Sequence, residues 1–232
     1  GVAATGCCAI KMNPDPCPHC EPGCKVLEEL EELRLRVEEL SAQVLTDELT
    51  GLYNYRHLLW TLGQEIERVR RAGGEFSLLV IDFDNFKHLN DSYGHEFGNQ
   101  VLRAAGTFFR KSLRKLDVPC RFGGEEFVIV LPGTELREAI NLAERLRVGI
   151  EGLQLKAGDI HVSVTISTGV DSFSANDQLT AELLLDRADQ RLLQAKKAGK
   201  NTVCSPDRGE TSDGMSIAEK AALMDSFNNQ RS

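Results

Sequence analysis

Long apolar runs are missing from this chain of 232 residues. No stretch reaches the roughly eighteen consecutive apolar residues that a membrane-spanning helix needs, so we expect no contact with a membrane. A basic excess is missing too, because 27 Lys and Arg stand against 35 Asp and Glu and give a net charge of −8. Such an acidic balance argues against nucleic acid as a partner. With 41% hydrophobic residues, we expect a soluble, cytoplasmic protein made of one domain plus extensions.

Cysteine and proline are scarce outside residues 1–24, which hold five of the seven cysteines and four of the seven prolines. The cysteines whose spacing matches half of a zinc knuckle are Cys17, Cys20 and Cys24. Cys7, Cys8 or His19 would supply a fourth ligand. Structural disulfides do not persist in a reducing cytoplasm, so we expect a structural Zn²⁺ or a thiol switch. The alternative is an unstructured leader whose thiols cluster without function.

Residues 25–46 have the pattern of a coiled-coil helix. Apolar residues recur with the spacing 4-3-4-3-4 at Val26, Leu30, Leu33, Val37, Leu40 and Val44. Glu and Arg side chains flank this seam. A short parallel coil of two chains would make the protein a homodimer. The alternative is an amphipathic helix that packs against its own domain.

The compact domain is expected at residues 47–205, followed by a flexible tail at 206–232. The pattern predicts helices near 55–72, 94–114, 134–152 and 179–198. It predicts strands near 76–83, 117–122, 126–131 and 160–171. Helices and strands alternate around one hairpin, which predicts an α+β fold with a central sheet covered by helices.

The segment from Arg121 to Phe127 reads R-F-G-G-E-E-F and predicts a tight hairpin turn. Both glycines can adopt the positive φ angles that a two-residue turn requires. The apolar run that follows is typical of a buried strand. Glu125 and Glu126 would therefore lie on a fixed backbone, where carboxylates can hold a divalent cation. The alternative is an ordinary solvated acidic turn.

A second acidic feature lies about forty residues upstream, where the apolar run from Phe76 to Ile81 ends in Asp82, Phe83 and Asp84. The two aspartates are two residues apart, so their side chains would share a face at the end of a strand. Like charges repel, and a carboxylate without water is costly. A Mg²⁺ ion between this strand end and the hairpin would relieve the repulsion.

Four motifs in this order resemble the GGDEF-domain diguanylate cyclases, in the variant that reads G-G-E-E-F. They are D-E-L-T-G-L-Y-N-Y-R from Asp47, I-D-F-D-N-F-K-H-L-N-D-S-Y-G-H from Ile81, R-F-G-G-E-E-F from Arg121, and A-D-Q-R-L-L-Q-A-K-K-A-G-K-N from Ala188. The resemblance runs from Asp47 to about Cys204. It implies a palm-like βαββαβ core of the kind found in nucleotidyl cyclases and polymerases. The implied reaction joins two GTP molecules into cyclic di-GMP with release of two pyrophosphates, in a homodimer.

The resemblance also assigns roles to residues. Asp82, the backbone carbonyl of Phe83 and Glu125 would hold Mg²⁺ or Mn²⁺, with Glu125 also the general base and Glu126 assisting. The residues implied in phosphate or guanine binding are Lys87, Lys196, Lys200, Asn90, His95 and Asn99. Lys196 and Lys200 are four apart and would lie on one face of the last helix.

One position departs from the family pattern, because Asn99 stands where the family has an aspartate in its guanine pocket. A carboxylate accepts hydrogen bonds from both guanine N1–H and the 2-amino group, whereas an amide offers one acceptor and one donor. The same amide could pair with adenine. Strict choice of GTP is therefore open, and a synthase that also makes cyclic GMP-AMP is an alternative.

The stretch from Arg114 to Asp117 fits the R-x-x-D pattern that precedes the turn in product-inhibited members of the family. Arginine can donate to and stack on a guanine, and aspartate can accept from it. Arg145 would be an auxiliary contact. A catalytically silent receptor that only binds cyclic di-GMP here is the remaining alternative. The retained acids Asp82, Glu125 and Glu126, together with Lys87, favour the enzyme.

Overall fold

A computed structural model describes residues 29–36, 45–158 and 160–206 and divides the chain into two units, Gly1–Val44 and Leu45–Ser232. In the first unit residues 29–36 are helical, and the side chains of Leu30 and Leu33 are 49% and 54% exposed. The rest of the expected coiled-coil helix, the N-terminal cysteines and the expected tail beyond Pro206 lie outside the described residues. The predictions made for them stay predictions.

The second unit is built on a five-stranded sheet with the order β2-β3-β1-β6-β7. Its strands are β1 (Glu75–Phe83), β2 (Val118–Gly123), β3 (Glu126–Pro132), β6 (Ile166–Ser174) and β7 (Val203–Cys204). Neighbours pair antiparallel except β6 and β7, which are parallel. A separate two-stranded sheet contains β4 (Leu155–Ala157) and β5 (Ile160–Val162).

Helices cover both faces of the large sheet. They are α1 (Tyr55–Ala72), α2 (Phe86–Tyr93), α3 (His95–Ser112), α4 (Leu136–Glu151) and α5 (Ala181–Lys197). One buried cluster joins Phe83 and Phe127 of the sheet to α3 and α4, and the other joins Phe76 and Phe173 to α1 and α5. Strand residues alternate between the two clusters, as the two-residue repeat of a strand requires. The order of elements is βαββαβ, which confirms the predicted α+β palm-like fold.

Two helix starts follow from local sequence. Asn54 precedes α1 and accepts a hydrogen bond from the His57 amide at 3.1 Å, and Thr180 caps α5 in the same way through the Leu183 amide at 3.3 Å. Such caps satisfy backbone donors that a first turn leaves unpaired.

None of the helices in the described ranges is long and apolar enough to cross a membrane.

Candidate active site

The β2–β3 hairpin places the two glutamates differently from one another. Gly123 pairs with Glu126 across the hairpin, so the turn consists of Gly124 and Glu125. Gly124 has a φ of +41°, whereas Gly123 has no positive φ. The prediction that both glycines take positive φ is therefore wrong, because an irregularity between Arg121 and Gly123 keeps Gly123 in the strand. Glu125 lies in the turn, and Glu126 begins β3.

The Arg121 side chain connects the hairpin turn to Asp47 through its guanidinium group. Its Nε and one terminal nitrogen donate to the Gly124 carbonyl at 3.0 and 2.7 Å, and the other terminal nitrogen lies 3.0 Å from Asp47 Oδ2. Asp47 also accepts from the amide and hydroxyl of Thr50 at 2.8 and 2.7 Å. Burial alone would raise the pKa of Asp47, but the Thr50 hydrogen bonds and the Arg121 charge lower it. The D-E-L-T motif is thus tied to the hairpin turn by the ion pair of Arg121 with Asp47.

The strand register brings the second acid to the hairpin. Asp82, near the end of β1, pairs directly with Glu126 at the start of β3, so both side chains emerge on the sheet face covered by α5. Lys196 of α5 reaches the same place, with Nζ 2.9 Å from Asp82 Oδ1. Asp82 is only 6% exposed. Burial raises its pKa, and the charges of Asp84 and Asp189 add to this while Lys196 opposes it.

Glu125 and Glu126 are half-buried beside Asp82. Burial raises the pKa of each glutamate, the Asp82 charge raises it further, and Lys196 partly offsets both effects. In the described ranges no three His, Cys, Asp or Glu side chains are already arranged around one metal position. The donor set nevertheless fits Mg²⁺ or Mn²⁺, since two carboxylates and the neighbouring Phe83 carbonyl offer the hard oxygens that these ions prefer. The excess of negative charge on these carboxylates also favours binding of a divalent cation.

The carboxylate of Asp84 has different hydrogen-bond partners from that of Asp82. It accepts from the hydroxyls of Ser167 at 2.6 Å and Thr165 at 2.7 Å, and from the Asn201 amide at 2.9 Å. The predicted repulsion between the two aspartates is present, because the charge of Asp84 raises the pKa of Asp82, but Asp84 does not depend on a cation for its partners. Three protein donors already satisfy it, and no sequence pattern marked those distant donors.

The two C-terminal lysines are not on one helix face, contrary to the prediction. Helix α5 ends at Lys197, and Lys200 lies beyond it with a φ of +66°. Its Nζ donates to the Asn85 side-chain oxygen, while Lys196 points to Asp82. Gly199, with a φ of +115°, turns the chain out of the helix before Lys200 is reached. Lys87 is exposed on the first turn of α2.

The expected guanine pocket lies where α2 meets α3. Asn90 Oδ1 is buried without a hydrogen-bond partner, and a Cβ on Gly98 would lie 2.0 Å from it. A side chain at position 98 would thus displace the Asn90 amide, and the orphaned oxygen suits a ligand that donates a hydrogen bond. Asn99 is half-buried next to Gly98, and His95 is exposed at the start of α3. Hydrogen bonds from Arg103 and Asn99 lower the pKa of Glu96.

The R-x-x-D residues form a closed turn at the end of α3. The Arg114 amide donates to Asp117 Oδ2 at 2.8 Å, and the Asp117 amide donates to the Arg114 carbonyl at 3.1 Å. Burial raises the pKa of Asp117, while the backbone of Arg114 and the charges of Arg114 and Arg145 lower it. Clefts of about 360 and 230 Å³ flank this turn, and Arg145 lines the smaller one. The structure therefore brings all three residues of the expected product site together.

Asp189 belongs to the fourth motif, but no role was assigned to it from the sequence. Its charge raises the pKa of both Asp82 and Glu126. It lies on α5 seven residues before Lys196, a spacing that puts both on one helix face. That spacing was visible in the sequence and could have identified Asp189 as a neighbour of the acidic cluster.

Comparison with known proteins bears on the identity of this site. Residues 44–202 match the family described as diguanylate cyclase, GGDEF domain. The chain is 40% identical over 173 residues to Response regulator PleD of Caulobacter vibrioides, covering 74% of this chain and 38% of that protein. It is 42% identical over 165 residues to Diguanylate cyclase DgcP of Pseudomonas aeruginosa, covering 71% and 24%. The solved coiled coil and GGDEF domain of DgcB from Caulobacter crescentus, in complex with c-di-GMP, has a TM-score of 0.67 and 26% identity, covering 78% of this chain and 96% of that one.

A βαββαβ sheet that carries carboxylates at the end of its central strand defines a palm-like fold of the nucleotidyl-cyclase type. The chain belongs to the GGDEF-domain family of diguanylate cyclases. The resemblance seen in the four sequence motifs is thereby confirmed. The chain spans less than half the length of the two named relatives, with 38% and 24% of their residues matched.

Proposed function

We propose that this protein is a diguanylate cyclase, which condenses two GTP molecules into cyclic di-GMP and releases two pyrophosphates. The observation that carries the proposal is the register of β1 and β3, which sets Asp82 against Glu126 and beside the Glu125 turn. The pKa of each of these acids is raised, chiefly by burial. Clustered carboxylates of this kind mark functional sites, since an ordinary surface would disperse them.

The acids have two tasks in the proposed reaction. Asp82, the Phe83 carbonyl and Glu125 would hold Mg²⁺ or Mn²⁺, which when bound neutralises triphosphate charge and polarises the α-phosphate. Glu125 is also the candidate base for the 3′-hydroxyl of the attacking GTP, because a carboxyl with a raised pKa is a stronger proton acceptor than a free one. Glu126 lies next to it and assists at the hydroxyl.

Basic and amide side chains would bind the rest of the nucleotide. Lys196 lies against Asp82, and Lys87 and Lys200 flank the same strand end, so all three can approach a triphosphate. Asn90 presents its orphaned oxygen to the base. Asn99 supplies one acceptor where a carboxylate would supply two, so base choice is expected to be looser than in relatives with aspartate.

The reaction needs two GTP sites in opposed orientation, and each chain contributes one. We therefore propose an active homodimer that residues 25–46 help to assemble. Product would bind at Arg114 and Asp117, with Arg145 as an auxiliary contact, and this binding would inhibit the enzyme. The solved DgcB structure, in complex with c-di-GMP, supports binding of that ligand within the family.

Product analysis by mass spectrometry tests the proposal. Purified protein is incubated with Mg²⁺ and GTP, ATP or both, and the same is done for Asn99→Asp and for the matched surface control Asn176→Asp. We expect cyclic di-GMP from GTP, and some cyclic GMP-AMP from the mixture that Asn99→Asp suppresses. Tight binding of cyclic di-GMP without any synthesis would contradict the cyclase activity and favour the catalytically silent receptor. Identical product ratios in wild type and Asn99→Asp would contradict only the proposed relaxed choice of base.

A further inference from the structure

The segment after α5 has an unusual backbone. Gly199, Lys200 and Asn201 have φ angles of +115°, +66° and +45° in succession. Residues other than glycine rarely adopt such angles, and they persist only where surrounding contacts hold them. Asn85, which accepts from Lys200, also has a positive φ of +56°. Two strained pieces of chain therefore meet at the end of β1, where the acidic cluster lies.

Asn201 is held at both its backbone and its side chain. Its amide donates to Asp84 Oδ2 at 2.9 Å. Its side-chain oxygen accepts from Arg147 of α4 at 2.8 Å, and its side-chain nitrogen lies 3.3 Å from Glu151 Oε1. Arg147 is in turn fixed by Glu144 at 2.8 Å. The strained segment is thus anchored to α4 and to the strand end at the same residue.

Asp84 joins this segment to the residues that follow the strand. Its other hydrogen bonds, from the hydroxyls of Thr165 and Ser167, fix it against β6 and the residue before it. Its own amide donates to the Thr165 carbonyl at 2.9 Å. Because Phe83 and Asn85 are its chain neighbours, the carboxylate that holds Asn201 also fixes the backbone beside Asp82.

The ammonium groups of Lys200 and Lys196 have different kinds of partner. Lys196 is paired with the carboxylate of Asp82, whereas the observed hydrogen bond of Lys200 is to the neutral amide oxygen of Asn85. A neutral acceptor orients the ammonium group without cancelling its charge. The ammonium therefore remains available to an anion next to the acidic cluster.

We propose that Asn201 and Asp84 are positioning residues that hold Lys200 for the triphosphate of GTP. The inference rests on the proposed function and adds to it the device that orders one phosphate-binding lysine before substrate arrives. Ordering a flexible lysine in advance reduces the entropy lost on binding. We expect the effect at the phosphates, because the side chain that is positioned is a lysine, whereas Asn90 is the residue expected to contact the base.

The test is a double-mutant cycle read by binding. Affinities for 3′-deoxy-GTP, which lacks the attacking hydroxyl, and for GMP are measured by calorimetry with Mg²⁺ in wild type, Asn201→Gly, Lys200→Ala and the double variant. Glycine accepts the positive φ, so Asn201→Gly removes the side-chain anchors without adding strain. We expect Asn201→Gly to weaken 3′-deoxy-GTP about tenfold, to leave GMP within about twofold, and to have little further effect when Lys200→Ala is present.

The outcomes separate the inference from the proposed function. Wild-type protein that does not bind 3′-deoxy-GTP would overturn the proposed function itself. Wild-type affinity in Asn201→Gly, or an equal loss for 3′-deoxy-GTP and GMP, would overturn the positioning role. Independent effects of the two substitutions would also overturn it. The exposed Asn176→Gly is the matched control, and Asp84→Asn, which keeps the size of the side chain, is expected to reproduce the selective loss.

Discussion

At the scale of single residues, the acids of the candidate active site retain their protons to a higher pH than free carboxyls. The pKa of Asp82, Glu125 and Glu126 is raised by burial first and by neighbouring acids second. A carboxyl whose pKa is higher in the folded state contributes most to stability below its unfolded pKa, and that contribution is lost as pH rises through the folded value. At neutral pH the cluster therefore lowers stability, and a divalent cation bound there would restore it.

Glu126→Gln tests this loss of stability directly, because the amide keeps the shape of the side chain and removes one charge. At pH 7 without divalent cation we expect a higher free energy of unfolding than in wild type. The gain should be less than about 1 kcal/mol, since the side chain is only half-buried and water screens the repulsion. The difference should shrink as pH falls towards about 4, the usual pKa of a glutamate.

Urea unfolding over a pH series in the presence of chelator measures the effect. The exposed Glu138→Gln on α4 serves as the control, with no gain expected. A Glu126→Gln variant less stable than wild type at pH 7 would show that the cluster does not repel as described.

At the scale of elements, the β2–β3 hairpin depends on Arg121. The planar guanidinium donates to the Gly124 carbonyl and to Asp47 at once, a geometry that an ammonium group cannot reproduce. We expect Arg121→Lys to let the turn move and to lower kcat about tenfold while KM for GTP changes little, because Glu125 is misplaced.

Steady-state kinetics of Arg121→Lys should be compared with those of Arg68→Lys, which alters a half-buried pair with Glu65 on α1. Wild-type kcat in Arg121→Lys would show that the guanidinium does not position the turn.

The turn at the end of α3 yields a separate expectation. Arg114→Ala removes a side chain that would donate to and stack on bound product, without touching the acidic cluster. Inhibition by cyclic di-GMP should weaken about tenfold or more, and the initial rate should stay within about twofold. Lys111→Ala on the same helix is the control. Unchanged product affinity in Arg114→Ala by calorimetry would contradict the product site.

Elements with a clear apolar repeat were predictable. The sequence pattern places α1, α3, α4 and α5 within about two residues of their observed ends, because each buries a continuous face. Helix α2 was missed, since only Phe86 and Leu89 of its eight residues are buried and the polar remainder resembles a loop. The strand expected over 160–171 is two strands, β5 and β6, that belong to different sheets.

The site was predictable only where motifs name its residues. Asp82, Glu125 and Glu126 lie beside one another at the end of β1, and Arg114 and Asp117 form a separate turn after α3. The contacts of Asp84 with Thr165, Ser167 and Asn201 join residues 81 to 117 positions apart in the chain. Tertiary packing alone creates such pairs, so no local sequence pattern predicts them. The same holds for Lys200, whose position depends on how α5 ends.

At the scale of the whole molecule, the proposed single GTP site per chain would require two chains for ring closure. Replacing Leu33 and Leu40 by Asn should weaken the proposed coil, because both lie on its apolar seam. We expect a lower dimer fraction and lower activity per chain at dilute protein, with recovery at high concentration.

Sedimentation and activity should be measured on the same samples. Leu35→Asn is the matched control, since Leu35 is as exposed as Leu33 but lies off the seam. Full activity per chain in a demonstrably monomeric variant would contradict the need for a dimer.

The most direct test of the cyclase itself compares wild type with Glu125→Gln in Mg²⁺ and GTP, counting pyrophosphate and cyclic di-GMP together. We expect two pyrophosphates for each cyclic di-GMP in wild type. For Glu125→Gln we expect a loss of at least about a hundredfold in both products, with an unchanged thermal midpoint in chelator or an increased one. Wild-type turnover in Glu125→Gln, or pyrophosphate release without cyclic di-GMP in wild type, would contradict the proposed cyclase.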